Sequence, residues 1–352
     1  MVRKFRESAA SLQDYKYSIF SRRLSDLEES RRSLSTAVER DALQAKYPQV
    51  DYLSQLVTHH SLLTTDNYAI IVPMVIDFHT HIVPPKVKQN RDDYARKCGS
   101  FASIYSDPKA RLATAEEIIA AMDKDGIDIS VALNYGWSTQ ALCIEVNDYI
   151  LESVARYPKR LVGFCSVVPA EDDSALREVE RCIKGGAKGI GELRLDTHLK
   201  RKNAIETIRP IVDIIVKNNI ILLTHASEPV GHQYKGKGEA TPDLLYALIT
   251  SFPDLKLVCA HWGGGLPFYA LMPEVKAALK NVYFDTAASP YLYIPQVYGQ
   301  VAQLVGAEKI LFGSDYPLIP QRRFLKEINA LDLSAGVKKK ILYGNAKKLL
   351  GM

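Results

Sequence analysis

From residue 74 onward, short apolar runs rich in valine, isoleucine and leucine alternate with longer stretches whose apolar residues recur at helical spacing. Buried parallel strands give continuous apolar runs, and the helices that connect them give amphipathic ones. Eight runs fit a buried strand, at residues 75–78, 129–133, 161–168, 189–193, 220–224, 257–260, 282–285 and 310–312. Eight strands separated by helices within about 250 residues predict an α/β fold, the closed (β/α)8 or TIM barrel.

Helical segments separate the predicted strands. Thr114 and Glu117 have the spacing of a capping box, and Gly126 can end the helix that they begin. Further helices are predicted at residues 141–156, 174–184, 204–217, 242–251, 268–279, 295–304 and 323–330. The main rival, an open doubly wound sheet, normally has a glycine-rich phosphate turn after its first strand, and here that turn reads His-Thr-His.

Residues 1–73 differ in character from the rest of the chain. Apolar residues at roughly helical intervals lie among Arg, Glu and Ser, which predicts a helical extension. Met74 directly opens the first barrel strand, so the extension could be dispensable or even a misassigned start. Its helices could instead cover the barrel or join two subunits into a homodimer. We therefore divide the chain into an extension, 1–73, and a barrel, 74–352.

Imidazoles and carboxylates stand where the predicted strands end. Because the carboxyl ends of all barrel strands open onto one face, we expect these side chains to converge. His79 and His81 are spaced i, i+2, which puts both rings on the same face of a strand. Such donors suit zinc, manganese, iron or cobalt. The sequence therefore predicts a divalent metal site, with zinc the foremost candidate and one or two ions.

Each candidate residue has a proposed role in this site. The predicted metal ligands are His79, His81, Glu192, His225 and Asp315. Asp315 could also accept a proton from bound water, and His261 could ligate a second ion or act as general acid and base. Asp77 has the strand parity to accept the free ring N–H of a ligating histidine. Glu192 could alternatively pair with Arg194.

Two residues are predicted substrate contacts. The guanidinium fork of Arg194 could bind a substrate carboxylate, although a structural ion pair is the alternative. His232 lies in the glycine-containing segment 227–238 after the fifth strand, which could close over an anionic substrate or be a solvated loop. Residues 86–111, between the first strand and its helix, are polar and predicted to leave the regular barrel path.

The composition mainly serves to exclude classes of binding partner. The hydrophobic share of 47% and the charged share of 24% are those of ordinary globular proteins. A formal net charge of +5 without a long basic run does not support a nucleic-acid partner. No apolar stretch is long enough for a membrane span, so no membrane partner is expected. The five cysteines lack Cys-x-x-Cys pairing and are expected to be reduced, which predicts the cytoplasm.

Five short motifs in the barrel region resemble those of the amidohydrolase superfamily. They are IDFHTH at 76–81, TH at 224–225, AHWGGG at 260–265, FGSDYP at 312–317 and ILYGNA at 341–346. The resemblance covers about residues 74–352 and is strongest to an amidohydrolase-related branch that includes aminocarboxymuconate semialdehyde decarboxylase and γ-resorcylate decarboxylase. It implies a barrel with metal ligation by His79, His81, His225 and Asp315, and proton transfer assisted by His261.

Two positions depart from the pattern of that superfamily. Many members carry a carbamylated lysine at the end of strand four, where this chain has Glu192. Glu192 is similar to the glutamate of a deoxyribonuclease-like branch, in which it joins two metals. Trp262 separates His261 from the glycines, which would narrow the pocket.

Three functions are compatible with these residues. The first is a metal-dependent hydrolase, in which metal-activated water attacks an amide, ester or lactone carbonyl of a small substrate. The alternative is a metal-dependent nonoxidative decarboxylase of an aromatic or unsaturated carboxylic acid, with His261 or Asp315 protonating the carbon that loses carbon dioxide. The third is a noncatalytic metal or ligand binder. The resemblance of Glu192 to a metal-bridging residue favours the hydrolase.

Overall fold

A computed structural model describes residues 74–169, 173–195 and 203–352. Eight parallel strands form one sheet in chain order. They are β1 Ile76–His81, β2 Ile129–Leu133, β3 Leu161–Cys165, β4 Gly189–Leu193, β5 Ile221–Thr224, β6 Lys256–Cys259, β7 Val282–Asp285 and β8 Ile310–Leu311. The predicted strands are confirmed, with ends that differ by up to three residues.

The sheet closes on itself between β1 and the end of β8. The Phe78 N–H donates to the Phe312 carbonyl over 2.7 Å, and the His81 N–H donates to the Tyr316 carbonyl over 2.7 Å. Asp315 returns a bond of 2.9 Å from its N–H to the His79 carbonyl. The molecule is therefore a (β/α)8 barrel, as the sequence predicts.

Helices connect the strands and cover the barrel. They are α1 Pro85–Gln89, α2 Arg91–Lys97, α3 Gly99–Tyr105, α4 Ala115–Asp125, α5 Gln140–Arg156, α6 Ser174–Lys184, α7 Ala204–Lys217, α8 Pro242–Ser251, α9 Pro273–Ala278, α10 Ser289–Leu292, α11 Val297–Val305, α12 Gln321–Ala330, α13 Ala335–Lys339 and α14 Asn345–Leu350. The capping box of Thr114 and Glu117 is present at the start of α4, and Gly126 ends that helix in the left-handed conformation.

Two segments differ from the prediction. The excursion at 86–111 folds into α1, α2 and α3, whose Phe101 and Tyr105 are buried, so it forms part of the packed structure. The helix predicted at 268–279 is broken into a 3-10 helix, Leu266–Leu271, and α9. Pro273 explains the break, because proline has no N–H to continue the preceding helix and favours a helix start.

Two apolar clusters hold the fold together. One lies within the barrel and includes Ile76, Phe78, Val131, Phe164 and Leu223, all essentially inaccessible to solvent. The larger cluster packs the outer faces of the strands against the helices. This close packing fixes the strand ends, on which the functional side chains stand.

All five cysteines are free and buried, as expected for reduced thiols. Within the described part of the chain, no helix has the length and apolarity needed to cross a membrane. The predicted helical extension at 1–73 lies outside the described residues, so the division of the chain at Met74 stays a prediction.

Candidate metal centre

The side chains predicted to converge do meet at one end of the barrel. Two groups of ligand atoms, each with its members within 4.8 Å of one another, are His79, His81 and Glu192, and Glu192, His225 and His261. Asp315 Oδ1 lies 3.5 Å from His81 Nε2 and 3.9 Å from His79 Nε2. Apart from Asp315, whose side chain is 15% exposed, these residues are buried.

An irregularity in β1 aims both of its histidines into this centre. The pairing register between β1 and β2 shifts between Asp77 and Thr80, so strict alternation of side chains is interrupted there. Nε2 of His79 consequently lies 3.1 Å from Nε2 of His81. Gly313 permits this packing, because a Cβ atom there would lie 2.8 Å from Cβ of His79.

Glu192 stands between the two groups and faces each with a different oxygen. Its Oε2 lies 3.7 Å from His81 Nε2 and 4.0 Å from His79 Nε2. Its Oε1 lies 2.8 Å from His225 Nδ1 and 3.5 Å from His261 Nε2. A carboxylate in this position can serve one ion or bridge two.

Asp285, at the end of β7, holds two of the histidines in position. Its Oδ2 is 2.8 Å from His79 Nδ1, and its Oδ1 accepts the backbone N–H of His261 at 3.0 Å. The prediction that Asp77 accepts a histidine ring N–H is therefore wrong. Asp77 instead accepts the N–H and hydroxyl of Ser314 and an amide N–H of Gln321, because the register shift separates it from the ring.

Ser227 orients His225. The Oγ of Ser227 lies 3.1 Å from His225 Nε2 and accepts the Gly238 N–H at 2.9 Å. A proton on Nε2 can then donate to Ser227, which leaves the Nδ1 lone pair directed at the centre. The sequence analysis did not find these roles of Ser227 and Asp285, although Asp285 has the same strand-end position as the candidate ligands.

A left-handed turn holds His261. Residues His261, Trp262 and Gly263 have φ of 54°, 58° and 59°, a conformation that costs free energy in residues with a Cβ atom. The His261 Nδ1 donates to the Ala287 carbonyl at 3.1 Å, which directs Nε2 toward Glu192. Functional sites are where such strain is commonly found.

Trp262 does not narrow the pocket as expected. Its ring is fully buried and lies edge-on to Tyr298, 5.0 Å between centroids, and its indole N–H donates to Ser289. The left-handed turn places Trp262 in the core and His261 in the centre. Trp262 therefore anchors the turn.

The centre is strongly electronegative. Burial acts to lower the pKa of His79, but Asp285, Glu192 and Asp315 outweigh it and raise this pKa to about 10. Burial acts to raise the pKa of Asp315, yet the surrounding histidines lower it to about 2. Burial likewise acts to raise the pKa of Glu192, but its interactions with His225, His261 and His79 hold this pKa well below its usual range. Both carboxylates are thus ionised at neutral pH.

The donor set fits a divalent cation. Asp285 holds the Nδ1 side of His79, so Nε2 of His79 faces Nε2 of His81, and two ionised carboxylates face the same space. Acceptor atoms crowded in this way repel one another unless a proton or a metal ion lies between them. Imidazole nitrogens and carboxylate oxygens together are donors for zinc, manganese, iron or cobalt.

A small pocket adjoins the centre. It is lined by Cys98, Ser100, Phe101, Ile104, Tyr135, Gly136, Trp137, Glu192 and Arg194. The Tyr135 ring stacks on His81 with centroids 4.4 Å apart, and its hydroxyl bonds to that of Tyr105 over 2.6 Å. The pocket therefore connects aromatic surface, one cation and the metal centre.

The two predicted substrate contacts have different positions. Arg194 is buried beside the pocket and donates to the Gly236 carbonyl at 3.0 Å. With burial as the larger cause, the charge of Arg194 lowers the pKa of His225, which favours the neutral ring that a metal needs. His232 is exposed, with its ring 5.6 Å from that of Tyr234, and is not among the residues that line the pocket. Its predicted contact with substrate stays a prediction.

Fold and site together define an α/β barrel with a candidate centre for a divalent metal at the carboxyl ends of its strands. The chain belongs to the Amidohydrolase family, whose model matches residues 76–352. It is an enzyme of the amidohydrolase superfamily, as the motifs predict, and the hypothesis of a noncatalytic binder is therefore set aside.

Curated relatives cover most of the chain. It is 24% identical over 333 residues to 2-amino-3-carboxymuconate-6-semialdehyde decarboxylase of Dictyostelium discoideum, covering 79% of this chain and 91% of the relative. It is 26% identical over 318 residues to 6-methylsalicylic acid decarboxylase of Penicillium expansum, covering 78% of this chain and 95% of the relative.

A solved structure has the same fold. The 5-carboxyvanillate decarboxylase of Novosphingobium aromaticivorans, complexed with manganese and 4-hydroxy-3-methoxy-5-nitrobenzoic acid, has a TM-score of 0.63 at 20% identity. The match covers 80% of this chain and 97% of that one. At this level of identity the similarity concerns the fold alone.

The first functional hypothesis from the sequence, hydrolysis of an amide, ester or lactone, is wrong. The curated relatives are decarboxylases, which agrees with the stated alternative. The error came from giving Glu192 too much weight, since a carboxylate placed between metal-binding groups does not by itself determine the reaction.

Proposed function

We propose that this protein is a metal-dependent nonoxidative decarboxylase of an aromatic or unsaturated carboxylic acid. The observation that carries the proposal is that two relatives, matched over 91% and 95% of their lengths, are both decarboxylases. The buried centre of imidazoles and carboxylates, with an aromatic pocket beside it, supports the same reaction.

The proposed metal ligands are His79, His81, Glu192, His225 and Asp315. The sequence favours zinc. Manganese is an equal candidate, because the set contains carboxylates and the structural relative contains manganese. One ion would use the histidines of β1 with Glu192 and Asp315. A second would use Glu192 and His225, and metal analysis decides the number.

A bound cation would supply positive charge that attracts the substrate carboxylate and stabilises negative charge developing next to it. His261 is placed to supply the proton, since the Ala287 carbonyl fixes its Nδ1 and its Nε2 faces the centre. As the bond to the carboxyl carbon breaks, carbon dioxide leaves and its bonding electrons stay on the substrate carbon. That carbon takes the proton from His261, which regains one from solvent. Asp315 is the second candidate donor.

Arg194 is proposed to bind an anionic group of the substrate. Its side chain lines the pocket together with Phe101, Tyr135 and Trp137, so a charged edge and a flat aromatic surface lie within one cavity. An aromatic acid matches both features, because its ring can pack on the aromatic surface while its oxygens pair with the guanidinium.

The test combines metal content with carbon dioxide release. Protein reloaded with Mn²⁺ or Zn²⁺ after chelation should release carbon dioxide from hydroxybenzoic acids, and His81→Ala should lose both metal and turnover. His261→Asn should retain metal and lose turnover, which separates a proton donor from a ligand. Unchanged turnover in chelated wild type or in His81→Ala would reject the proposal.

A further inference from the structure

Asn134 is a buried residue directly after β2 that uses all of its side-chain hydrogen-bonding capacity. Its Oδ1 accepts the indole N–H of Trp137 at 2.7 Å and the backbone N–H of Tyr135 at 2.8 Å. Its Nδ2 donates to Asn147 Oδ1 at 2.6 Å and to the Cys143 carbonyl at 3.2 Å. An asparagine has two donor protons and two acceptor lone pairs, so each is satisfied here.

The partners of Asn134 are themselves fixed. Asn147, on α5, donates to the Ser166 carbonyl at 2.9 Å and to Glu178 at 2.7 Å, and Arg181 holds that glutamate with two bonds. A buried network in which every member is satisfied is rigid. Asn134 is thereby tied to α5 and α6, outside the pocket.

The residues that Asn134 orients form the aromatic wall of the pocket, defined as Phe101, Tyr135 and Trp137. The Trp137 ring stacks on Phe101 with centroids 4.9 Å apart and an interplanar angle of 19°. The Tyr135 ring stacks on His81 at 4.4 Å and 12°. Asn134 Oδ1 therefore holds the Trp137 ring directly and the Tyr135 backbone, and Phe101 packs on the ring so held.

The backbone of Asn134 contacts the metal centre independently of its side chain. Its carbonyl accepts the Glu192 N–H at 2.8 Å, and its N–H donates to the Gly191 carbonyl at 3.2 Å. A substitution of the Asn134 side chain leaves these bonds possible. Changes in the wall and changes in the metal centre can thus be measured separately.

We propose that Asn134 is a positioning residue that fixes the aromatic wall, and that the wall makes the pocket selective for flat aromatic carboxylates over non-aromatic ones of the same size. The inference deepens the proposed function and rests on it for the identity of the pocket. Without the Asn134 amide, the Trp137 indole N–H would be buried without its acceptor, and the ring would have to move to satisfy it.

The experiment compares benzoate with cyclohexanecarboxylate, which has the same carboxylate on a puckered ring. Dissociation constants are measured by calorimetry on the metal-loaded full-length protein. Wild type should prefer benzoate by about 3- to 10-fold, the range of an aromatic stacking contribution. In Asn134→Ala this preference should fall to within about twofold, while affinity for Mn²⁺ stays within about twofold of wild type.

Two further variants separate positioning from general destabilisation. Asn345→Ala removes a buried asparagine that donates to the Ala307 and Ile310 carbonyls, and it should keep the benzoate preference. Trp137→Phe keeps an aromatic ring but removes the N–H that Asn134 accepts, together with part of the indole. It should lose part of the preference, and adding Asn134→Ala to it should have less effect than in wild type.

The role of Asn134 would be overturned if Asn134→Ala left the ratio of the two dissociation constants unchanged. It would also be overturned if Asn345→Ala lost the benzoate preference to the same extent. Absence of any benzoate preference in wild type would overturn it too. If Asn134→Ala does not fold, a wild-type ratio in Trp137→Phe overturns the proposal and a reduced one supports it. Because the readout is binding, a wild type that binds benzoate but releases no carbon dioxide from any acid rejects the decarboxylase alone.

Discussion

Asp285 connects two of the histidines in the metal centre through its two oxygens. One oxygen faces the His79 ring, and the other accepts the backbone N–H of His261 and that of Ala287, each at 3.0 Å. The carboxylate is fully buried, so its orientation is fixed by these bonds. Partners of this kind determine which ring nitrogen of a ligand carries the proton.

Replacing Asp285 with Asn should therefore weaken metal binding. The new amide N–H₂ would face the His79 N–H or force the other tautomer, so affinity for Mn²⁺ should fall by about 10- to 100-fold in calorimetric titration. Asp123→Asn, which changes an exposed partner of Arg160, is the matched control and should bind as wild type does. Equal affinities in both variants would remove Asp285 from the site.

Metal affinity should also depend on pH through His79. Its pKa of about 10 in the metal-free protein means that this ring is protonated at neutral pH, and the proton competes with the ion. Affinity for Mn²⁺ should rise by about tenfold per pH unit below that pKa if one proton is released per ion. Titrations between about pH 6 and 8 check this, and a pH-independent affinity would contradict it.

At the scale of residues, the candidate ligands could be predicted from their positions at strand ends. The groups that orient their side chains could not be predicted in this way. The convergence of these candidate residues could be predicted because each ends an apolar run, a property of sequence alone. The prediction for Asp77 assumes strict alternation along β1, and the register shift in that strand breaks the alternation. Strand irregularities arise from packing across the barrel, which one segment does not encode.

The turn from His261 to Gly265 is the element on which the position of His261 depends. Five successive residues have positive φ, and a Cβ atom on Gly264 would lie 2.3 Å from the Ser227 carbonyl oxygen. The turn thus packs directly against the loop that carries the partner of His225. Position 264 requires glycine because its φ is positive and because a Cβ atom would overlap with Ser227.

Gly264→Ala should destabilise the protein more than Gly126→Ala. Both positions have positive φ, but a Cβ on Gly126 meets nothing within 4 Å, so that variant should lose only about 1 kcal/mol of unfolding free energy. The overlap with Ser227 should add about 1–3 kcal/mol. Urea unfolding of the two variants measures the difference, and equal losses would show that the turn can shift freely.

Element boundaries were predictable where capping residues or glycines mark them, as at the ends of α4. The segment at 86–111 was not, because three short helices have too few turns to give a periodic signal. The helix predicted at 268–279 is interrupted at Pro273. The apolar residues there have helical spacing, but proline cannot continue the preceding turn.

For the whole molecule, we propose that residues 74–352 suffice for folding and catalysis. The family match begins at residue 76, and the barrel closes within the described residues through β1 and the end of β8. A chain that starts at Met74 should bind Mn²⁺ with wild-type affinity and keep full turnover. Loss of either property in circular dichroism, calorimetry or activity assays would assign residues 1–73 a necessary role.

The barrel could be predicted from the order of its strands, whereas the reaction could not. A centre of histidines and carboxylates serves water activation and substrate binding alike, so the same ligands are compatible with hydrolysis and with decarboxylation. What differs is the group that the pocket places beside the cation. The aromatic wall of the pocket is built from Phe101, Tyr135 and Trp137, which meet only in the folded chain.

Isotope incorporation tests the proposed reaction most directly. Metal-loaded protein is incubated with hydroxybenzoic acids in D₂O and, separately, in ¹⁸O-labelled water, and the organic product is analysed by mass spectrometry. In wild type, decarboxylation predicts one deuterium on the carbon that lost carbon dioxide and no ¹⁸O in that product. His261→Asn should not form this deuterated product. A product that carries ¹⁸O, or the absence of carbon dioxide and deuterated product across the panel, would contradict it.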